Sequence, residues 1–330
     1  MIAYRLLFAT IIVVFCVSGC LDDPIRDHPL DPLGENFIDE GRIAVQVTNF
    51  YPPRAGLEDI RVNVTPGFMS GRTDDAGVFV TPGLPGGSYD IEVTRDGYAT
   101  LDTTVQVSAG QTTELSLPLP GLPTFQRFEL SSLHVSRWFP PPEELFSLEI
   151  EAELADHDGV ADIDSLWVSI DDFAFSQLLF VEVAPGMYRH SIPAGDLPVG
   201  LTALLGQEIQ LEAKDRSGAF NVSGPKSVIR VINETPIALD PLELMIVGGA
   251  RPTFTWEPLA LDFPFTFRLD VVRIDQNIQS TILTIEDIPS SNDMIEAPTS
   301  IASGDYFWTV SVVDEFGNRS RSREAGFRIQ

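Results

Sequence analysis

From Ile43 onward the chain is built of short runs in which apolar and polar residues alternate, each run cut off by Gly, Pro, Asp or Asn. A period of two puts successive side chains on opposite faces, which suits a strand with one buried and one wet face. The first series is Ile43–Val47, Ile60–Val64, Val78–Val80, Tyr89–Val93, Val105–Val107 and Leu115–Leu117. A second follows over Phe128–Val135, Leu145–Leu154, Leu166–Ile170, Leu178–Val183, Tyr188–Ile192, Ile209–Ala213 and Val228–Ile232. The third opens near Pro236 and includes Pro252–Pro258, Phe265–Ile274 and Gly304–Asn318. No amphipathic helix of useful length interrupts them. Turn signals at roughly 8 to 12 residue spacing then predict an all-β chain of three tandem antiparallel β-sandwiches, with Trp167 and Trp256 as core residues.

Pro118-Leu119-Pro120-Gly121-Leu122-Pro123 reads as a rigid connector, so boundaries fall at 37–120, 121–235 and 236–330. Pro140-Pro141-Pro142 cannot donate to a ladder and marks a loop or sheet edge. Within the first segment, Thr73-Asp74-Asp75-Ala76-Gly77-Val78-Phe79 is a turn feeding a strand, Leu84-Pro85-Gly86-Gly87-Ser88-Tyr89 launches the next, and Gly97-Tyr98 closes it. With Gly41-Arg42-Ile43 and Val107-Ser108-Ala109-Gly110-Gln111-Thr112 these resemble the carboxypeptidase regulatory-like domain, a small transthyretin-like sandwich. That resemblance implies a non-catalytic module of the kind found beside peptidase domains, in outer-membrane transport proteins and in surface lipoproteins. Some relatives of the fold bind starch, but Phe79 and Tyr98 fall at core-like positions and form no outward aromatic pair. The second segment resembles an immunoglobulin-like sandwich. The third is similar to fibronectin type III domains, with Trp256 then Pro258 early and Tyr306 to Gly317 late. An internal echo links these two: alternating apolar residues enter an Asp-x-x-Gly turn at Asp215 and again at Asp314, about one sandwich length apart.

The amino-terminal residues carry a different signal. Arg5 precedes an apolar run from Leu6 to Val17, and Val17-Ser18-Gly19-Cys20 places small residues before a thiol. That run falls short of the about 20 residues that span a bilayer. The segment resembles a bacterial lipoprotein signal, which implies cleavage after Gly19 and lipidation of Cys20; the alternative is an ordinary secretory signal with a chance cysteine. Residues 20–36 read as a disordered tether, rich in Pro and Asp. Leu21 stands where some inner-membrane lipoproteins carry Asp, which leans the expected location toward the outer membrane.

Charge narrows the partners. With 21 basic and 48 acidic residues the net charge is −27, a surface that repels nucleic acid. After removal of the signal only Cys20 remains, so disulfides, CxxC metal sites and a cysteine nucleophile are excluded from the mature chain. His28, His134, His157 and His190 sit apart, no His-x-x-Glu or Gly-x-Ser-x-Gly motif occurs, and Ser223-Gly224-Pro225-Lys226 cannot be helical. The expectation is a protein that is not an enzyme and has no resident organic cofactor. One dense acidic segment, Asp156-His157-Asp158-Gly159-Val160-Ala161-Asp162-Ile163-Asp164, is either a calcium loop using Asp156, Asp158, Asp162 and Asp164 or an ordinary acidic turn. It departs from EF-hand spacing. Trp138-Phe139 is either a sealed domain junction or a ligand platform, since adjacent strand residues face opposite ways. The functional expectation is a lipid-anchored cell-envelope protein presenting sandwich modules for protein binding or assembly. The rivals are a carbohydrate-binding surface lipoprotein and an accessory subunit of an envelope peptidase or transport complex.

Overall fold

The computed structural model describes residues 39–138, 140–179, 182–276 and 278–330. Residues 1–38, which contain the expected signal and tether with Cys20 and His28, lie outside the described residues, as does Phe139. Among those described, no helix is long and apolar enough to cross a membrane. The protein is all β, in several sheets, and forms two compact units: one ending at Leu119, the other comprising Asp96–Ala99 and Pro120–Gln330.

The first unit contains β1 (Glu40–Asn49), β2 (Arg61–Thr65), β3 (Met69–Arg72), β4 (Val78–Val80), β5 (Leu84–Pro85), β6 (Gly87–Thr94), β7 (Leu101–Val107) and β8 (Thr112–Leu119). Strand β1 pairs antiparallel with β4 and β5 and parallel with β8, while the second sheet runs β3-β2-β6-β7. The alternation has the expected consequence: Ile43, Val45 and Val47 of one sheet and Val62, Val64, Ile91 and Val93 of the other are all at most 1% exposed. The turn before β4 is held by Asp74, whose Oδ1 accepts from the Ala76 and Val78 amides at 3.0 and 2.8 Å. Gly77 is required there. Its φ is +78°, and a Cβ would lie 2.4 Å from the Val47 carbonyl oxygen. Tyr89 ties its hydroxyl to the Pro85 carbonyl at 3.0 Å, fixing the corner that launches β6.

In the second unit the chain continues with β9 (Thr124–Ser136), β10 (Glu144–Ala155), β11 (Ile163–Ile170), β12 (Phe175–Leu178), β13 (Glu182–Ala184), β14 (Met187–Pro193), β15 (Gln210–Asp215) and β16 (Phe220–Val222). Then come β17 (Ala238–Asp240), β18 (Met245–Val247), β19 (Thr253–Trp256), β20 (Phe265–Asp275), β21 (Ile278–Pro289), β22 (Met294–Glu296), β23 (Gly304–Asp314), β24 (Arg319–Arg321) and β25 (Ala325–Ile329). Two hydrophobic cores form. Leu148, Ile150, Leu166, Val168 and Leu211 fill the first, and Phe254, Trp256, Phe267, Trp308 and Phe327 the second. The covering sheets are separate, β12-β11-β15-β16 over one core and β17-β19-β22 over the other. The remaining sheet is common to both and runs β13-β14-β10-β9-β24-β23-β20-β21. Its joint is a parallel pairing in which Leu133, His134 and Val135 oppose Arg319, Ser320 and Arg321.

Two local expectations change. Trp167 is half-buried rather than a core residue, because Leu166 and Val168, at 1% and 0% exposure, take the inward positions of β11. Val228–Ile232 is not a strand. Its backbone bonds go piecemeal, the Val228 carbonyl accepting from the Gly206 amide and that of Arg230 from the Ser132 hydroxyl. Val228 packs into the first core and Ile232 into the second, so the apolar pattern reflects a connector buried at both ends.

Candidate functional site

The acidic segment joins β10 to β11. Gly159, at φ +102°, lets the chain turn, and a short 3-10 turn at Val160–Asp162 brings Asp162 inside at 7% exposure. Asp156 Oδ1 accepts from the Asp158 amide at 2.8 Å. The four predicted ligands separate into two groups. Asp158 turns away and accepts from the Gly121 amide at 2.7 Å, and exposed Asp164 accepts from the Ser165 hydroxyl at 3.2 Å. Asp156 and Asp162 converge instead with Asp215, at the end of β15, and one carboxylate oxygen of each lies within 4.8 Å of the others.

Asp215 is 1% exposed, and its Oδ1 accepts from the Ser217 hydroxyl at 2.8 Å and the Ala219 amide at 2.7 Å. Its Oδ2, like Asp156 Oδ2, is buried and makes no hydrogen bond. Such an oxygen costs desolvation with nothing in return. Burial, with the charges of Asp215, Asp158 and Asp162, pushes the Asp156 carboxyl up to about 6 against the hydrogen bond from Asp158. Asp215 lies far along the chain from the acidic turn, so local crowding of acids does not mark it as a member of the group. The signal that marks it is its membership of the repeated Asp-x-x-Gly turn.

Trp138 stands where β9 leaves the joint between the two sandwiches. It is 64% exposed, donates its indole N–H to the Glu324 carbonyl at 2.9 Å, and carries the Arg323 guanidinium over its ring at 4.4 Å. Beside it opens a cleft of about 750 Å³ lined by Ile237, Leu242 and Leu244, with Glu144, Glu243 and Glu324 among its polar residues. Ile237, Leu239, Leu244, Met245 and Ile246 are each more than 45% exposed. Exposed apolar residues gathered near one cleft mark an interaction surface more often than scattered ones do.

The described histidines are engaged in packing. His134 stacks on Phe146 at 4.0 Å, bonds Glu144 through Nε2 at 2.7 Å and meets the Ser320 hydroxyl at Nδ1, 3.2 Å away. The order Ser, His, Glu copies a nucleophilic triad in connectivity alone. Ser320 is 0% exposed and His134 5%, so no acyl group reaches the hydroxyl, and the trio braces the β9–β24 joint. His157 stacks on Tyr98 at 4.5 Å, and His190 is half-buried on β14.

Residues 42–120 match the family model of the carboxypeptidase regulatory-like domain. No curated protein matches the chain. Among solved structures it is similar to the Bacillus anthracis TIE protein at 11% identity and TM-score 0.26, covering 88% of this chain and 48% of that one. The chain thus spans about half the length of the TIE protein. The fibronectin(III)-like modules of Clostridium thermocellum CbhA align at 14% identity and TM-score 0.28 over 63% of this chain and 93% of theirs. The chicken CNTN1 FN1–FN3 domains align at 10% identity and TM-score 0.31 over 84% and 92%. The chain is therefore an all-β protein in which residues 42–120 match the carboxypeptidase regulatory-like domain and further β-sheets follow around two more hydrophobic cores.

Proposed function

We propose that this is a non-catalytic cell-envelope protein, anchored through a lipid on Cys20 at the outer membrane, whose sandwiches present a docking surface for another envelope protein. The observation that carries the reading is the exposed apolar group around the Trp138 cleft, with Ile237 at 54% and Leu244 at 69% exposure beside acidic side chains. An apolar floor with a charged rim suits a protein partner. A sugar ring would need a free aromatic face and donors around it, whereas Trp138 has spent its N–H and has Arg323 over its ring. Photo-crosslinking from position 244 in intact cells tests the proposal. A discrete protein adduct that disappears with Ile237→Asp is expected. Absence of any adduct, together with glycan-array binding that Trp138→Ala abolishes, would transfer the function to carbohydrate recognition.

A further inference from the structure

The repeated Asp-x-x-Gly turn supplies an internal comparison. Asp215 and Asp314 each end a strand and close the turn in the same way, the Asp amide donating to the carbonyl of Ala219 or Asn318 at 3.0 and 3.1 Å. Each Oδ1 accepts from the amide of that same residue, at 2.7 and 2.9 Å. The second oxygens differ. Asp314 Oδ2 accepts from the Arg230 guanidinium at 2.5 Å and from the Asn318 side-chain amide at 3.0 Å. At the other turn Ala219 replaces the Asn, no guanidinium pairs with Asp215 among the described residues, and the buried Asp215 Oδ2 makes no hydrogen bond. What faces it is two more carboxylates, those of Asp156 and Asp162.

We infer that Asp156, Asp162 and Asp215 form a calcium site in which the ion takes the place that Arg230 and Asn318 fill at the sister turn. Carboxylates brought this close repel one another, and a hard divalent ion would satisfy the buried Oδ2 atoms of Asp156 and Asp215, which accept no hydrogen bond. The three oxygens lie within 4.8 Å of one another, close enough for one ion to reach them all. Calcium suits an irregular cluster of carboxylates because it accepts about six to eight oxygens in flexible geometry, whereas magnesium demands a near-ideal octahedron and gives up its waters reluctantly. Asp156 remains half-buried, which leaves room for water to complete a shell of about six to eight oxygens.

The test uses the purified full chain stripped with EGTA, then titrated calorimetrically with calcium chloride and melted with calcium or magnesium. One calcium should bind per chain and raise the melting temperature by several degrees, with magnesium giving a small fraction of that shift. Ala219→Asn rebuilds the side-chain donor of the sister turn without removing a carboxylate. It should weaken calcium binding by about 10- to 100-fold, as should Asp215→Asn, whereas Asp164→Asn should not. If Asp215→Asn does not fold, the Ala219→Asn comparison decides alone. Absence of binding, or equal shifts with both ions that Ala219→Asn leaves unchanged, overturns the assignment.

Discussion

At the scale of single residues, the same short motif meets different surroundings, and the surroundings decide what each side chain does. Asp314 is neutralised by Arg230 at 2.5 Å, while Asp215 is left beside Asp156 and Asp162. The consequence for pH follows from Asp156, whose carboxyl, pushed up by burial and then by its acidic neighbours, stands at about 6 against an ordinary 3.8. Between those values the native state holds a proton that the unfolded chain has released. Stability in chelator therefore falls as pH rises from about 4 to about 6, and the penalty is complete above that window. Asp156→Asn should remove this dependence and, in EGTA at pH 7.5, stabilise the chain by about 1 kcal/mol, a figure already reduced for screening at a half-exposed carboxylate. Melting curves of the two proteins across that range provide the check. Gly77 makes a second residue-scale case. Gly77→Ala should cost the first unit about 1 to 3 kcal/mol, read from urea unfolding, because it combines an unfavourable φ with a clash at the Val47 carbonyl.

Among the elements, the β9–β24 joint matters most and is the least legible in the sequence. Period-two alternation identified the long strands, since one buried face leaves its mark on local sequence: Ile43–Val47 and Phe265–Ile274 lie within β1 and β20. The joint leaves no such mark. Its pairing is parallel, its members lie far apart in the chain, and β24 reads Arg-Ser-Arg. For the same reason Val228–Ile232 resembled a strand although it is a connector buried at both ends, and Trp167 resembled a core residue although β11 turns it outward. Of the candidate site, Asp156 and Asp162 were legible from the crowding of acids; Asp215 required the fold to bring it over. The joint has an energetic consequence of its own. His134→Ala removes a ring stacked on Phe146 and leaves the wholly buried Ser320 hydroxyl without its partner. It should lower stability by about 2 to 4 kcal/mol, seen as a reduced urea midpoint for the second unit.

For the whole molecule, a sheet shared by two cores means that neither can lose its strands without exposing the edge of the other. The connector adds Val228 to one core and Ile232 to the next, and Arg230 between them to the Asp314 carboxylate. Calorimetry should therefore resolve two transitions, one for each compact unit, in place of the three that three independent sandwiches would show. Three transitions would mean that the joint contributes little. The account of function depends on where such a body is held, and that depends on one thiol. Metabolic labelling of cells with a clickable fatty acid, comparing the natural chain with Cys20→Ser, measures it directly: label on the natural chain and none on an unprocessed Cys20→Ser precursor is the predicted result, and equal labelling of the two would contradict the anchored reading.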